Sequence, residues 1–338
     1  MAAIIYALCC LGFAAVNDFV FKLFANRSEA SSERKSCGTF VTIVGLTEVI
    51  ILVWLIHDVE NWRASIIWGT VGGLLSVVSN ILLIESMRFL SAGISSTIFR
   101  LNMVMVVIGG CLFFNERRSP QLFIGIIVAA LAVIAFIPRK ADSGSSDVRK
   151  ARLGFVIALV ACFLRALMAL SYKGAFSNGG DVNVVSVITG LCWVVGGPVF
   201  SLFRERRVTM PTKGEWLIGI VSGILVCGIL FFMARMNKYG NASVVNPIAQ
   251  MSFLGTFVLS VVFLHEKMTL KNALALALGC AAIVCLILHN RQLAQESSAA
   301  GDAQTTNAPR IESRAGVHEK RLMPAWRKVR RCNCTFSV

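Results

Sequence analysis

Charged residues lie inside long apolar stretches of this sequence. Arg100 and Arg165 fall near the middle of two such stretches, and Asp18 and Lys22 fall four residues apart in a third. The planar guanidinium of arginine suits a carboxylate or a phosphate, so the two arginines predict binding of an anionic or zwitterionic compound. Asp18 is a candidate for proton coupling, because a carboxylate that loses its water binds a proton more readily.

Uncharged polar residues repeat a helical spacing. Ser96 lies four residues before Arg100, and Asn246 lies four residues before Gln250, at positions 150 residues further along the chain. Residues four apart share one face of a helix. We therefore expect two related polar stripes that line one central cavity and bind a small-molecule substrate.

Four further polar residues complete the candidate set. Asn17 and Asn80 are candidates for substrate contact, and they can equally serve as hydrogen-bond partners between helices. Glu85 and Arg235 occupy equivalent positions near the ends of the third and eighth apolar stretches. We treat these two residues as candidate gates at opposite membrane faces.

The buried charges also have a simpler, structural interpretation. Asp18 and Lys22 can neutralise each other on one helix, and the arginines can pair with Glu48 or Glu85 to tie helices together. Pairing is expected because a charge near the bilayer centre costs about 2.5–3.5 kcal/mol on insertion scales. The sequence leaves both interpretations open.

Composition places these residues in a membrane. The chain has 338 residues, of which 56% are hydrophobic and 15% charged, and its mean hydropathy is +0.71. Soluble domains carry about 45–50% apolar and about 25% charged residues. A helix needs roughly 20 apolar residues to cross a bilayer and satisfies its backbone hydrogen bonds internally.

Ten apolar stretches predict an all-α integral membrane protein with ten transmembrane helices. They do not alternate as the strands of a transmembrane barrel do. The ten predicted helices are Ala2–Phe24, Gly38–Ile56, Ile66–Met87, Ala92–Phe114, Pro120–Ile137, Leu153–Phe176, Val182–Phe203, Trp216–Met236, Ala242–Leu264 and Leu270–Leu288.

The chain divides into two related halves. Residues 1–138 and 152–289 each hold five apolar stretches, a polar central loop covers 139–151, and a basic tail covers 290–338. The fourth stretch of each half ends on an acidic motif, "FFNERRSPQ" in the first half and "FLHEKMTLK" in the second. An odd number of helices per half inverts the second half, a symmetry typical of secondary transporters.

These motifs resemble a known family. The chain resembles the EamA-like branch of the drug/metabolite transporter superfamily in three stretches. They are "LIESMRFLSAGISS…FFNERRSPQLFIGIIVAALAVIAFI", its repeat "FFMARMNKYGNAS…FLHEKMTLKNALALALGCAAIVCLIL" and "FAAVNDFVFKLF". The resemblance implies a cavity lined by the first, third, fourth, sixth, eighth and ninth helices. Many relatives carry a proline thirteen residues before the glutamate that ends the fourth helix of each half, where this chain has Met103 and Phe253.

Several function classes are not expected. No P-loop, HExxH pair, GxSxG elbow or dinucleotide fingerprint occurs in the sequence, so the chain predicts neither an enzyme nor a cofactor. The net charge of +15 is spread over many loops, which argues against nucleic-acid binding, since that needs one basic patch. Most cysteines lie in apolar stretches, where they behave as small hydrophobes, and no metal site is predicted.

The sequence therefore predicts a secondary transporter that moves an amino acid or a related anionic or zwitterionic compound across the membrane by alternating access. A transporter of phosphorylated or nucleotide-linked sugars is one alternative, and a non-transporting structural or sensory membrane protein is another. The lipid bilayer is an expected partner, while a coupling proton and a homodimer are left open. The resemblance implies the cell membrane and cytoplasmic termini, whereas the bias of Lys and Arg among the loops favours the opposite orientation.

Overall fold

The structure is a computed structural model of the chain, and it describes residues 2–30, 36–56, 59, 61–113, 120–136, 145–206, 211–239, 248–265 and part of 273–288. Over these residues the chain forms helices and no strand, as predicted. The acidic motifs at Glu116 and Glu266 and the basic tail from residue 289 onward lie outside the described residues.

Ten helices of eight or more residues are described from end to end. They are α1 (Ala2–Ala30), α2 (Cys37–Leu52), α3 (Trp62–Ser86), α4 (Ala92–Arg100), α5 (Asn102–Phe113), α6 (Pro120–Phe136), α7 (Ser145–Ser177), α8 (Val182–Phe200), α9 (Lys213–Tyr239) and α10 (Ser252–Leu264). A 3₁₀ turn at Val53–Leu55 follows α2, and a π turn at Ser201–Glu205 follows α8.

These helices have the length and composition of a membrane protein. Six of them, α1, α2, α3, α7, α8 and α9, are long and apolar enough to cross a bilayer. Shorter apolar helices run at Ala92–Val106, Phe123–Ala132, Ile248–Leu264 and Leu276–Cys285. Each of these segments falls largely within one of the ten predicted stretches. The chain is therefore an all-α membrane protein, and the count of ten transmembrane helices stays a prediction.

Short polar side chains begin several of these helices. Ser91 begins α4 by accepting a hydrogen bond from the backbone N–H of Ile94 at 3.3 Å. Asp181 begins α8 in the same way, accepting from Val184 at 3.0 Å. Such caps satisfy backbone donors that the first turn of a helix leaves unpaired. At the other end of α10, His265 adopts a left-handed conformation with φ 52°, so the helix stops where the sequence turns polar.

One helix begins earlier than predicted. The structure starts α7 at Ser145, inside the stretch 139–151 that the sequence predicts as a loop. Val148 explains the difference, because its side chain is only 5% exposed and anchors this turn against the core.

The predicted fourth helix is interrupted, and this corrects the prediction of one continuous helix over Ala92–Phe114. Leu101 forms a turn between α4 and α5 with φ −67° and ψ −4°, and the N–H of Val104 bonds back to its carbonyl at 3.0 Å. The predicted ninth helix breaks at Met251, with φ −74° and ψ 9°, and Leu254 bonds back to it at 3.0 Å. Leu101 and Met251 are 150 residues apart, so the two breaks occupy equivalent positions.

The helices pack in a pattern that recurs in the two halves of the chain. Helix α1 packs against α9 and α10, α2 packs against α8 and α9, and α3 packs against α7 and α8. Helix α4 packs against both α7 and α10. Aromatic residues fill the space between α1 and α2, where the rings of Phe24 and Phe40 stack with centroids 4.3 Å apart.

Glycines bring α2 and α8 into close contact. A Cβ on Gly38 would overlap the carbonyl oxygen of Gly197, and a Cβ on Gly45 would lie 2.7 Å from the carbonyl oxygen of Gly190. Because Gly38 faces Gly197 while Gly45 faces Gly190, the two helices run antiparallel. Small residues at these positions allow the backbones to approach, as is common between helices in lipid.

Candidate functional site

An ion pair joins α1 to the end of α4. The Nη2 atom of Arg100 lies 3.4 Å from Oδ2 of Asp18. The Asp18 side chain is 5% exposed and that of Arg100 is 15% exposed, so both charges lie within the helix bundle. A buried pair of this kind repays the cost of taking two charges out of water only if other groups satisfy the remaining donors and acceptors.

Arg165 brings a second guanidinium to the same region. Its Cζ atom lies 5.5 Å from the centre of the Phe99 ring on α4, and its Nη1 donates to Sδ of Met168 at 3.3 Å. Phe99 directly precedes Arg100 in α4, so the two guanidiniums lie in the same region of the bundle, and Glu48, buried on α2, lies within electrostatic range of Arg165. We call Asp18, Glu48, Arg100 and Arg165 the central charge cluster.

Lys22 has a structural position next to this cluster. Its Nζ donates to the backbone carbonyl of Met87 at 2.5 Å and to that of Leu90 at 2.8 Å. These carbonyls lie at the corner between α3 and α4, where the end of a helix leaves acceptors unpaired. Lys22 therefore fastens α1 to that corner, while Asp18, one turn earlier, contacts Arg100.

Several buried polar atoms on the two interrupted helices have no hydrogen-bond partner. They are Oγ of Ser95, Oγ of Ser96 and Nε of Arg100 on α4, and Oε1 of Gln250 and Oγ of Ser252 at the break before α10. Helices α4 and α10 pack against each other. A buried polar group without a partner costs about 1–3 kcal/mol, so a ligand or water that bonds to these atoms would be stabilised here.

The predicted polar stripes are described in part. Ser96 and Arg100 lie on α4 and Gln250 lies just before α10, whereas Asn246 lies outside the described residues. Met103 and Phe253, which stand where the resembled family often carries proline, lie two residues after the turns at Leu101 and Met251. Arg100 and Gln250 each directly precede one of these turns.

The two predicted asparagines have protein partners. Oδ1 of Asn17 accepts from Oγ of Ser222 at 2.7 Å and links α1 to α9. Nδ2 of Asn80 donates to the carbonyl of Ser76 at 2.9 Å, and Oγ of Ser76 accepts from the Trp193 indole at 3.1 Å. The bond of Asn17 joins two helices, whereas the described bonds of Asn80 stay within α3.

The two gate candidates lie at opposite ends of α1. Glu85 pairs with Arg88, Oε1 to Nη1, at 3.0 Å, close to the corner that Lys22 contacts. Arg235 lies in the last turns of α9, and the nearby Tyr239 packs against Tyr6 with ring centroids 6.0 Å apart. Tyr6 and Lys22 are about 24 Å apart along α1 at 1.5 Å per residue. Glu85 and Arg235 therefore belong to different ends of the bundle.

Sequence reasoning missed two parts of this site. Glu48 enters the central charge cluster, although the sequence offered it only as a structural partner for an arginine. The sequence did contain a signal for Glu48, because it is an acidic residue in the middle of a stretch that is otherwise apolar. Ser95 and Ser252 have unpartnered hydroxyls, but a serine inside a membrane helix carries no sequence signal that separates a ligand contact from a bond to its own backbone.

A metal site finds no support in the described part of the chain. No group of three or more His, Cys, Asp or Glu side chains there is placed to hold a metal ion. The ion pairs and hydrogen bonds described above use arginine, lysine, amide and hydroxyl groups.

Comparison with known proteins finds similarity to a transporter family. Residues 152–288 match the EamA-like transporter family. Two proteins of Streptococcus agalactiae, from serotypes V and III and each named "Putative sugar uptake protein", are 23% identical over 261 residues, which is 75% of this chain and 87% of theirs. A solved structure titled "Crystal structure of protein" shares the fold with a TM-score of 0.55 and 18% identity, covering 85% of this chain and 98% of its own. Residues 152–288 are thus similar to an EamA-like transporter domain, and they belong to a multi-pass membrane protein.

Proposed function

We propose that this protein is a secondary transporter that moves a small polar metabolite through the centre of the bundle by alternating access. The observation that carries the proposal is the set of unpartnered buried atoms of Ser96, Arg100, Gln250 and Ser252 on two interrupted helices. Transporters commonly bind substrate where discontinuous helices leave backbone and side-chain groups free near the bilayer centre.

Packing supports an inverted arrangement of two five-helix halves. The contact of α1 with α9 has a counterpart in that of α7 with α3, and the contact of α2 with α9 has one in that of α8 with α3. Helices α2 and α8, and likewise α4 and α10, are equivalent helices that pack against each other. This is the pattern that a two-fold axis produces.

The glycine contacts fit the same axis. Gly190 and Gly197 follow Gly38 and Gly45 by 152 positions each. Gly38 packs against Gly197, and the equivalents of these two residues, Gly190 and Gly45, pack against each other. Equivalent helices that cross in an antiparallel sense are related by an axis in the membrane plane, which is the symmetry of inverted repeats.

Charge favours a zwitterion over a simple anion as substrate. Asp18 already occupies one edge of Arg100, so a carboxylate that binds this arginine meets a negative charge beside it. A substrate with one positive and one negative group would bond to both residues without adding a net charge to the bundle, which would be costly. An amino acid or a related zwitterion is therefore the first substrate class that we propose.

A sugar is the second candidate, because the relatives at 23% identity are named as sugar uptake proteins. The free hydroxyls of Ser95, Ser96 and Ser252 and the amide of Gln250 are groups that bond to sugar hydroxyls. These neutral groups fit an unmodified sugar better than a phosphorylated one, since a phosphate would add about two negative charges near Asp18.

The proposal is tested by thermal unfolding of the protein purified in detergent, with leucine, glutamate, glucose and glucose 6-phosphate added separately. A compound that binds only the folded state stabilises it by about 2.7 kcal/mol at one hundred times its Kd. We expect one class to raise Tm in the wild type and to lose this effect in Arg100→Ala. Arg63→Ala, which removes an exposed arginine at the start of α3, is the matched control and should respond like the wild type.

The outcome also separates the substrate classes. Stabilisation by leucine with no effect of glucose supports the zwitterion, and the reverse supports the sugar. Stabilisation that survives in Arg100→Ala would move the site away from the central charge cluster. No stabilisation by any compound, together with lack of counterflow in vesicles loaded with each one, would contradict transport of these classes.

A further inference from the structure

Two cavities lie on the side of the bundle formed by α1, α2, α8 and α9, and their lining includes none of Ser96, Arg100, Gln250 and Ser252. The first has a volume of about 290 Å³ and is lined by apolar groups that include Phe13, Ile224 and Cys227. The second has a volume of about 160 Å³ and is lined in part by Asn183 and Arg235. Leu52, Leu55 and Phe231 line both cavities, so the two form one groove.

The groove has an apolar part and a cationic end. The first cavity presents hydrocarbon, while Asn183, Ser186 and Arg235 are the polar residues of the second. The guanidinium of Arg235 stacks on the Phe231 ring, with Cζ 4.5 Å from the ring centre, which holds its charge at the groove. The residues that line the described groove include no acidic side chain, so the site is complementary to an anion.

The cationic end lies at the depth of the membrane interface. Tyr239, one turn beyond Arg235, is 57% exposed, and Trp54, beside the groove residue Leu55, is 78% exposed. Tyrosine and tryptophan favour the headgroup level of a bilayer. Trp62, at the start of α3, is 52% exposed as well, which adds a third aromatic anchor.

The length of the groove matches one leaflet. Ile224 in the apolar part and Arg235 at the cationic end are separated by about 16 Å along α9, at 1.5 Å per residue. The hydrocarbon core of a bilayer is about 30 Å thick, so one leaflet contributes about half of this. Helix α9 also buries only 22% of its most apolar segment, against 44–50% for the five other long helices, so this face meets lipid.

From these observations we propose that the groove binds one anionic phospholipid, with the phosphate at Arg235 and an acyl chain along the apolar part towards Ile224. Arg235 supplies the charge and the donors of a planar guanidinium, and Asn183 and Ser186 supply further hydrogen bonds to the headgroup. The apolar lining replaces the lipid neighbours that the chain would have in the bilayer. This site is separate from the proposed substrate site, and its test does not depend on transport.

Native mass spectrometry of the detergent-purified protein tests the proposal by measuring retained lipid. The probes are dioleoyl phosphatidylglycerol, dioleoyl phosphatidylcholine, the water-soluble dihexanoyl phosphatidylglycerol and inorganic phosphate. We expect the long-chain anionic lipid to be retained most strongly and to lose about fivefold in affinity in Arg235→Gln, the effect of one basic residue near a membrane surface. Arg235→Lys should keep most of the binding, and Arg63→Gln, at the same end of the bundle, should bind like the wild type.

Other outcomes overturn the proposal. Equal retention of phosphatidylcholine would show that charge is not recognised. Equal competition by the dihexanoyl lipid or by inorganic phosphate would show that the ligand is a soluble phosphate and that the apolar part is not used. An equal loss of lipid affinity in Arg63→Gln would show that general surface charge, and not a specific site, causes the effect. If Arg235→Gln does not fold, competition between the two long-chain lipids on the wild type still decides the question.

Discussion

Arg100 on α4 lies 3.4 Å from Asp18 on α1 and keeps its Nε atom without a partner. The guanidinium therefore uses one edge to hold a carboxylate of the protein and leaves another donor free. A second carboxylate or a hydroxyl oxygen can bond to that donor without removing Asp18. The pair thus ties α1 to α4 and leaves a donor for the substrate contact that we propose.

The ion pair predicts coupling between its two residues. Removing one partner of a buried ion pair destabilises a protein by about 3–5 kcal/mol, because the remaining charge has no counter-ion. We expect Asp18→Asn and Arg100→Gln each to lower stability, and the double variant to lose about 0.5–3 kcal/mol less than the sum of the two. Chemical unfolding of all four proteins measures this coupling, and strict additivity would show that the pair contributes little.

Serines with and without a hydrogen-bond partner are expected to respond differently to substitution by alanine. Ser96 has no hydrogen-bond partner, so Ser96→Ala should leave Tm unchanged or raised, because it removes a buried hydroxyl that costs about 1–3 kcal/mol. Ser222 donates to Asn17 at 2.7 Å, so Ser222→Ala should lower Tm. Ligand-induced stabilisation should show the reverse pattern, with the greater loss in Ser96→Ala. A clear drop in the unliganded Tm of Ser96→Ala would show that this hydroxyl has a protein partner.

The close contact of α2 with α8 predicts a steric effect of single methyl groups. Gly38→Ala and Gly197→Ala should each destabilise the protein by about 1–3 kcal/mol, the usual cost of overpacking, since a Cβ at either position meets backbone of the other helix. Gly12→Ala on α1 is the matched control, because no atom lies within 4 Å of its added Cβ. Thermal unfolding in detergent compares the three variants. An equal loss of stability in Gly12→Ala would show that backbone entropy or helix propensity, and not packing, causes the effect.

The two hydrogen bonds of Lys22 predict that the corner between α3 and α4 is protected from hydrogen exchange. Lys22→Met keeps the length of the side chain but removes the charged donors to Met87 and Leu90, each worth about 1.5–3 kcal/mol. We expect faster hydrogen exchange in residues 87–91 and a lower Tm. Lys213→Met, at an exposed position in the first turn of α9, should leave the exchange of that corner unchanged. Unaltered exchange in Lys22→Met would mean that packing alone holds the corner.

Much of the fold followed from the sequence, because helix length and apolar composition leave few choices in lipid. The interruptions at Leu101 and Met251 did not follow from the sequence, since leucine and methionine are among the better helix formers. A single turn residue also leaves the apolar composition of the stretch unchanged. Met103 and Phe253, in place of proline, gave no signal for a break, and the helices that precede or follow the breaks, α4 and α10, pack against each other.

The site was predictable in its residues and less so in its contacts. Arg100, Arg165 and Asp18 stand out because a charge in an apolar stretch requires a reason. Their pairing does not follow from spacing, since Asp18 and Arg100 are separated by 82 positions and several acids were equally available. The pairing of Lys22 with carbonyl groups was likewise hidden, because backbone acceptors at a helix end have no signature in the sequence.

Helix α1 has stronger polar contacts on its side towards α3 and α4 than on its side towards α9. Towards α3 and α4 the helix is held by the Asp18 ion pair and by the two bonds of Lys22, while towards α9 the described polar links are two neutral bonds, Asn17 to Ser222 and the Cys10 thiol to the Ile229 carbonyl. Helices in lipid associate through van der Waals packing and interhelical hydrogen bonds, so the charged contacts make the α3–α4 side the stronger polar attachment. If the bundle opens beside α1, we therefore expect α1 to stay with the α3–α4 corner and to part from α9.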